Sequence, residues 1–193
     1  MAPSRPLTLA LLLGLGLGLG TPARADEVAV PVALQVELLV KVASYDRNLA
    51  SRAGPRLRTL ILTKDKSDVS TRTAAQFKEA LAGKGPVAGL DHEEEVVPFT
   101  TLPALVETCR TRRPAIIYVT AGFADGEYAA IGQALDGVAV LSVAAEASAV
   151  RKGIVLGFDL VSGKPKLLVD LPRAIRQHVD LSANVLRLMT VYQ

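Results

Sequence analysis

The chain has 193 residues, half of them hydrophobic, with a formal net charge of +3, two histidines and a single cysteine. One cysteine excludes an intrachain disulfide, and so nearly balanced a charge gives no basic face of the kind a nucleic-acid partner requires. A globular protein is expected, with no nucleic acid among its partners.

The first residues read as an export signal. Met1–Pro6 carries Arg5 and no acid, Leu7–Gly20 is a run of Leu, Gly, Ala and one Thr, and Ala23 and Ala25 supply the small residues of an A-x-A cleavage site. Fourteen apolar residues fall short of the ~20 needed to span a bilayer. A signal peptide over residues 1–25 and a single domain over 26–193 are therefore expected, placing the product in the periplasm. Losing Arg5 and Arg24 with the leader leaves 20 cations against 19 acids. No later stretch is long and apolar enough for a transmembrane segment.

Pro31 opens a predicted helix over Val32–Ala50, with Val32, Val36, Leu39 and Ala43 along its apolar stripe. Gly54-Pro55 ends it. Leu57–Thr63 predicts a buried strand, and Ser70 or Thr71 a cap for a helix running to about Ala82. Asp91–Phe99 predicts a strand with His92 and Glu94 on one face and Asp91, Glu93 and Glu95 on the other. One His and one carboxylate are too few for a structural zinc, so this strand reads as a charged sheet edge that resists aggregation.

Thr101 predicts the cap of a helix carrying Cys109 on the face of Leu102, Leu105 and Val106, which makes the thiol a buried core group. Ala115–Thr120 and Val138–Val143 predict strands and Asp125–Leu135 a helix. Ala144–Val150 reads as a small-residue loop. Gly153–Val161 and Lys166–Val169 predict a hairpin about Ser162-Gly163. Pro172 opens a helix to about His178, a solvated imidazole at a helix end, and Leu181–Val191 predicts a last short amphipathic helix or extended cap. Strands alternating with helices imply an α/β fold: a Rossmann-like three-layer sandwich with a mostly parallel sheet, a C-terminal β-hairpin and a following helix.

The chemical inventory is thin. No serine sits in a G-x-S-x-G elbow, and no glycine-rich loop follows a strand, since Leu60–Lys64 runs into Asp65-Lys66-Ser67-Asp68. No catalytic residue, metal or cofactor is expected. A small ligand, if bound, belongs at the carboxyl ends of the strands, where the sequence offers Thr63, Lys64, Thr120, Gly122 and Ser142. On the hairpin, Val155, Gly157 and Leu168 are apolar or lack a side chain where a solvated face would be polar. They are expected to face a partner or a second copy, the alternative being a cover from the helix Leu181–Val191.

A family resemblance spans nearly the whole mature chain, from Val36 to Val191, and is clearest at the end. Gly153-Ile154-Val155-Leu156-Gly157-Phe158, the turn Ser162-Gly163 and Leu167-Leu168-Val169-Asp170-Leu171, then His178–Leu188, resemble the closing segments of the secreted YfiR-like family. Val140-Leu141-Ser142-Val143 is similar to its small-residue strand. The resemblance implies a periplasmic repressor that binds the periplasmic domain of a membrane-bound sensor or diguanylate cyclase, with a homodimer as its assembly. The chain departs from the pattern where Tyr45-Asp46-Arg47-Asn48-Leu49 replaces an aromatic helix end, where the family's disulfide cysteines are missing, and where Leu168 replaces an acid. Two functions are thus expected in order: a regulatory binding protein, then a small-molecule binding protein. An enzyme is disfavoured by the missing acid–base and nucleophile constellation.

Overall fold

The computed structural model describes residues 29–193, so the leader and its cleavage site lie outside it. Seven strands form one sheet in the order β2-β1-β3-β4-β5-β6-β7. They are β1 (Leu57–Lys64), β2 (His92–Phe99), β3 (Ile116–Val119), β4 (Leu141–Ala144), β5 (Leu156–Val161), β6 (Lys164–Asp170) and β7 (Met189–Tyr192). The first five are mutually parallel, β6 turns back antiparallel to β5, and β7 lies parallel to β6. The expected α/β sandwich with a mostly parallel sheet is thus observed.

Helices cover both sides because the central strands are apolar on both. On one side lie α1 (Val32–Ala43), α2 (Leu49–Ala53) and α3 (Asp68–Ala82). There Val36, Leu39 and Val42 of α1 and Phe77 and Leu81 of α3 join Leu57, Ile61, Ile116 and Val143 in one core. Phe77 stacks on Tyr118 with ring centroids 3.7 Å apart, and the Tyr118 hydroxyl donates to Gln35 Oε1 at 2.8 Å. On the other side lie α4 (Leu102–Arg112), α5 (Asp125–Ala134) and a 3-10 turn over Ala147–Lys152. Leu105, Cys109, Tyr128 and Ile131 meet Leu60, Leu62, Ile117 and Val119 in this second core.

Several boundaries depart from the sequence expectation, each for a physical reason. The first helix stops at Ala43, because Asp46 is buried and ion-paired to Arg52 at 2.5 Å while its Oδ1 accepts from Asn48 N and Asp180 N. Ser67, not Ser70 or Thr71, caps α3 by accepting from Ser70 N. Residues 144–150 are largely a 3-10 turn in place of a loop. The segment Leu181–Val191, expected as a short helix or extended cap, is helical only over α7 (Ala183–Leu186), after α6 (Leu171–Arg176), and enters β7 from Met189 onward. The pairing of Leu167 with Met189 and of Val169 with Val191 captures that segment as a strand. Thr101 caps α4 as expected, and Ser162 (φ 51°) and Gly163 (φ 73°) make the two-residue hairpin turn.

Candidate functional site

In a sheet of order 2-1-3-4-5 the strands are added outward in opposite directions from the β1–β3 boundary, and ligands of open α/β sheets bind outside the carboxyl ends of those two parallel strands. Thr63, Lys64, Thr120 and Gly122 meet there. The gathering is held by a chain of hydrogen bonds. Lys64 N donates to Ser70 Oγ at 2.8 Å, and Ser70 Oγ lies 2.6 Å from Thr120 Oγ1. Thr120 Oγ1 spends its one proton on the Leu62 carbonyl at 2.9 Å, so Ser70 is the donor to Thr120.

Two carboxylates fill the amide donors of the turn that follows β3. Glu146 Oε1 accepts from Gly122 N at 2.8 Å, and Glu127 Oε2 accepts from Ala124 N at 2.6 Å. Glu127 also takes the Lys64 ammonium at 2.6 Å; that bond is the main reason its carboxyl is held below the usual carboxylate range. Gly122 has φ +93°, and a Cβ there would lie 2.8 Å from Ser67 Oγ, so only glycine lets the turn approach α3. The Tyr128 hydroxyl donates to the Thr120 carbonyl at 3.1 Å, and burial, with Glu146 beside it, pushes that phenol well above its ordinary value. The rim is therefore a closed polar network whose carboxylates occupy the places a ligand's anionic group would take.

Ser142 does not belong to this rim, which corrects its assignment as a strand-end ligand group. β4 begins at Leu141 and ends at Ala144, which leaves Ser142 near the strand's start. It is fully buried, its Oγ accepts from Val155 N at 3.0 Å, and its amide donates to Gln177 Oε1 at 3.2 Å. Sequence reasoning missed Ser67, Ser70, Glu127, Tyr128 and Glu146. Glu127, three residues after the residue preceding α5, carried a helix-start signal. Glu146 carried none, lying 24 residues from the amide it binds.

The surface expected on the hairpin is corrected too. Val155 is fully buried and Leu168 is only 5% exposed. Gly157 is covered by the 3-10 turn, since a Cβ on it would lie 2.5 Å from Val150 Cγ2. Val155 joins the core beneath α1 and α3. The cover over Gly157 comes from residues 147–152, where the sequence reading looked to the C-terminal segment for it.

The acidic strand behaves as read: β2 is the sheet's outer strand, His92 Nδ1 lies 2.5 Å from Glu94 Oε1, and Glu93 binds Arg58 at 2.5 Å on the opposite face. Glu95 pairs with Arg112, and these charges border a cleft of about 490 Å³ beside Leu60 and Thr111. His92 Nε2 faces the Gly85 carbonyl at 3.2 Å, so both ring nitrogens are engaged. Cys109 is buried, and burial pushes its thiol up to about 11, far from a working nucleophile. Among the described residues no three His, Cys, Asp or Glu side chains gather as a metal-holding group, and no helix is long and apolar enough to cross a membrane.

A family model described as YfiR/HmsC-like matches residues 33–190. No curated protein matches the chain. Among solved structures, it is similar to a substrate binding protein with adhesive properties from Clostridium difficile, at 12% identity and TM-score 0.62 over 85% of this chain and 60% of that one. It is also similar to the ABC domain in complex with L-Trp from Streptococcus pneumonia, at 14% identity and TM-score 0.57 over 84% of this chain and 62% of that one. A conserved domain protein from Vibrio cholerae aligns at 13% identity and TM-score 0.55, over 84% and 60% of the two chains. The chain thus spans about six tenths of each of these structures, and at such identities they show a shared fold.

Proposed function

The chain belongs to the YfiR/HmsC-like family, matched over residues 33–190, and from that premise we propose that it is a periplasmic regulatory binding protein, not an enzyme, acting on a membrane-bound signalling partner such as a diguanylate cyclase. The family match is the observation that carries this reading. Two features of the molecule support it. The rim at the β1–β3 switch point spends its amide donors on Glu127 and Glu146, so the usual solute cradle is occupied by the protein's own carboxylates. The side chains nearest to catalytic types, Cys109 and His92, are a buried thiol and an imidazole bound on both nitrogens.

The test is co-purification from detergent-solubilised envelope, with cellular cyclic-di-GMP measured in a strain lacking the protein. The expected result is recovery of an inner-membrane sensor or cyclase together with a changed cyclic-di-GMP level. Recovery of no such protein, with an unchanged level, would sink the reading.

A second reading, small-molecule binding, is favoured by one observation: Lys64, Thr120 and Gly122 stand at the switch point in a fold shared with a substrate binding protein and with a domain solved with L-Trp. A ligand there has to displace Glu127 or Glu146 from its amide. A thermal-shift screen over amino acids, sugars and vitamins checks it, and the absence of any stabiliser counts against it.

A further inference from the structure

Seven large hydrophobic side chains are exposed among the described residues, and three of them, Leu160, Val161 and Leu188, crowd one end of the β5–β6–β7 ribbon. Their place follows from strand register. Val143 of β4 pairs with Leu156 of β5, and β4 stops one residue later, opposite Gly157. Phe158–Val161 therefore run on for about 13 Å past the end of β4, at ~3.3 Å per residue. Leu160 opposes Pro165 and Val161 opposes Lys164 across the hairpin, while the β6–β7 register sets Lys166 opposite Leu188. Lys166 Nζ donates to the Leu188 carbonyl at 3.2 Å, which ties the two strands at this end.

Three properties of this tip identify what it fits. Strand alternation sends Leu160 to one face of the ribbon and Val161 to the other, so apolar groups project on both sides of a narrow wedge. Lys164 and Lys166 lie on the tip opposite Val161 and Asp159, and the Asp159 carboxylate accepts from Leu160 N. The Ser162-Gly163 turn holds both positive-φ positions of a tight hairpin, so the wedge has a fixed shape.

A protein groove of ordinary size contacts about 800 Å² of a partner's surface, far more than three side chains supply. A bilayer interface receives small two-sided apolar projections and adds attraction for each cation near anionic headgroups. We propose that the β5–β6 tip, with Leu188 in the turn just before β7, docks onto an anionic lipid surface, placing Leu160 and Val161 at the headgroup boundary and Lys164 and Lys166 among the phosphates. This inference is independent of the regulatory role proposed above, since it concerns lipid and not the signalling partner.

The protein has no tryptophan, so Val161→Trp places a single reporter on the tip. Mixed with vesicles of phosphatidylcholine plus phosphatidylglycerol, this variant should show a blue-shifted emission and sediment with the lipid, and high salt should release it. Pure phosphatidylcholine should hold it weakly. Adding Lys164→Glu and Lys166→Glu should weaken binding at least about tenfold, and Leu160→Asp should do likewise. Unchanged circular dichroism and thermal midpoint would show that these substitutions leave the fold intact. No blue shift and no sedimentation with either vesicle, or binding indifferent to charge reversal, overturns the proposal. So does a tip whose variants lose capture of a soluble acidic protein while none of the forms binds lipid.

Discussion

Glu127 shows how one side chain ties the rim together, and its protonation gives a pH signature. Its carboxylate accepts from Lys64 Nζ and Ala124 N, and its folded-state pKa is depressed chiefly by the Lys64 hydrogen bond. A depressed carboxyl contributes stability above its unfolded value of about 4.3 and loses it as pH falls through the folded value. Glu127→Gln should therefore lower the urea midpoint at pH 7 and converge with the unsubstituted protein in acid. A gap that persists unchanged below pH 3 would contradict this account. Because the pair is about a third exposed, solvent screening keeps the effect small. Gly132 is a harder constraint. A Cβ there would overlap the Gly153 carbonyl where α5 crosses the end of the 3-10 turn. Gly132→Ala should cost about 1–3 kcal/mol of overpacking, read as a lower urea midpoint. An unchanged midpoint would mean that the crossing can relax.

At the scale of elements, the hairpin strands are locked between two layers. Leu168 opposes Gly157 on β5 and Thr190 on β7 and is 5% exposed. Leu168→Asp would bury a carboxylate with no partner, and several kcal/mol of lost stability is the expected result, measured by thermal or urea unfolding. A soluble variant with an unshifted midpoint would instead return this position to the surface. The elements that the sequence displayed most openly were those whose own residues decide them. Leu57–Thr63 is apolar enough to be a strand in any context, and Thr101 three residues before Ala104 N is a local cap. The α1 break and β7 were hidden because distant residues decide them. Asp46 stops α1 through Arg52 and the Asp180 amide, 134 residues away, and β7 is a strand because β6 offers it an open edge. The rim was half legible for the same reason: strand ends can be read from periodicity, whereas Glu146 reaching Gly122 cannot.

At the scale of the whole molecule, an open sheet has two edges, and each must avoid pairing with another chain. The edges here are unlike. β7 is four residues long and uncharged, and Tyr192 is overlain by the Arg151 guanidinium 4.8 Å from its ring centroid. Its shortness limits what could pair with it. β2 is eight residues long, a template of about 26 Å at ~3.3 Å per residue, and so needs another protection. It carries Glu93, Glu94 and Glu95 in succession, and Pro98 removes one amide donor from the row. Glu93 and Glu95 point to one face, where Arg58, Arg56 and Arg112 partly neutralise them at the surface. Those pairs are largely exposed, so they contribute little to folding. Their value lies in keeping another strand off. Replacing Glu93 and Glu95 together by valine raises the strand's β-propensity and removes two of its three carboxylates, leaving Glu94 alone among apolar residues over 93–97. The variant should keep a thermal midpoint within a few degrees of the parent, yet scatter light and elute early from gel filtration as its concentration rises. Thr190→Val on the short edge should do neither. A Glu93→Val, Glu95→Val protein that elutes like the parent at every concentration would show that something other than these carboxylates protects the long edge.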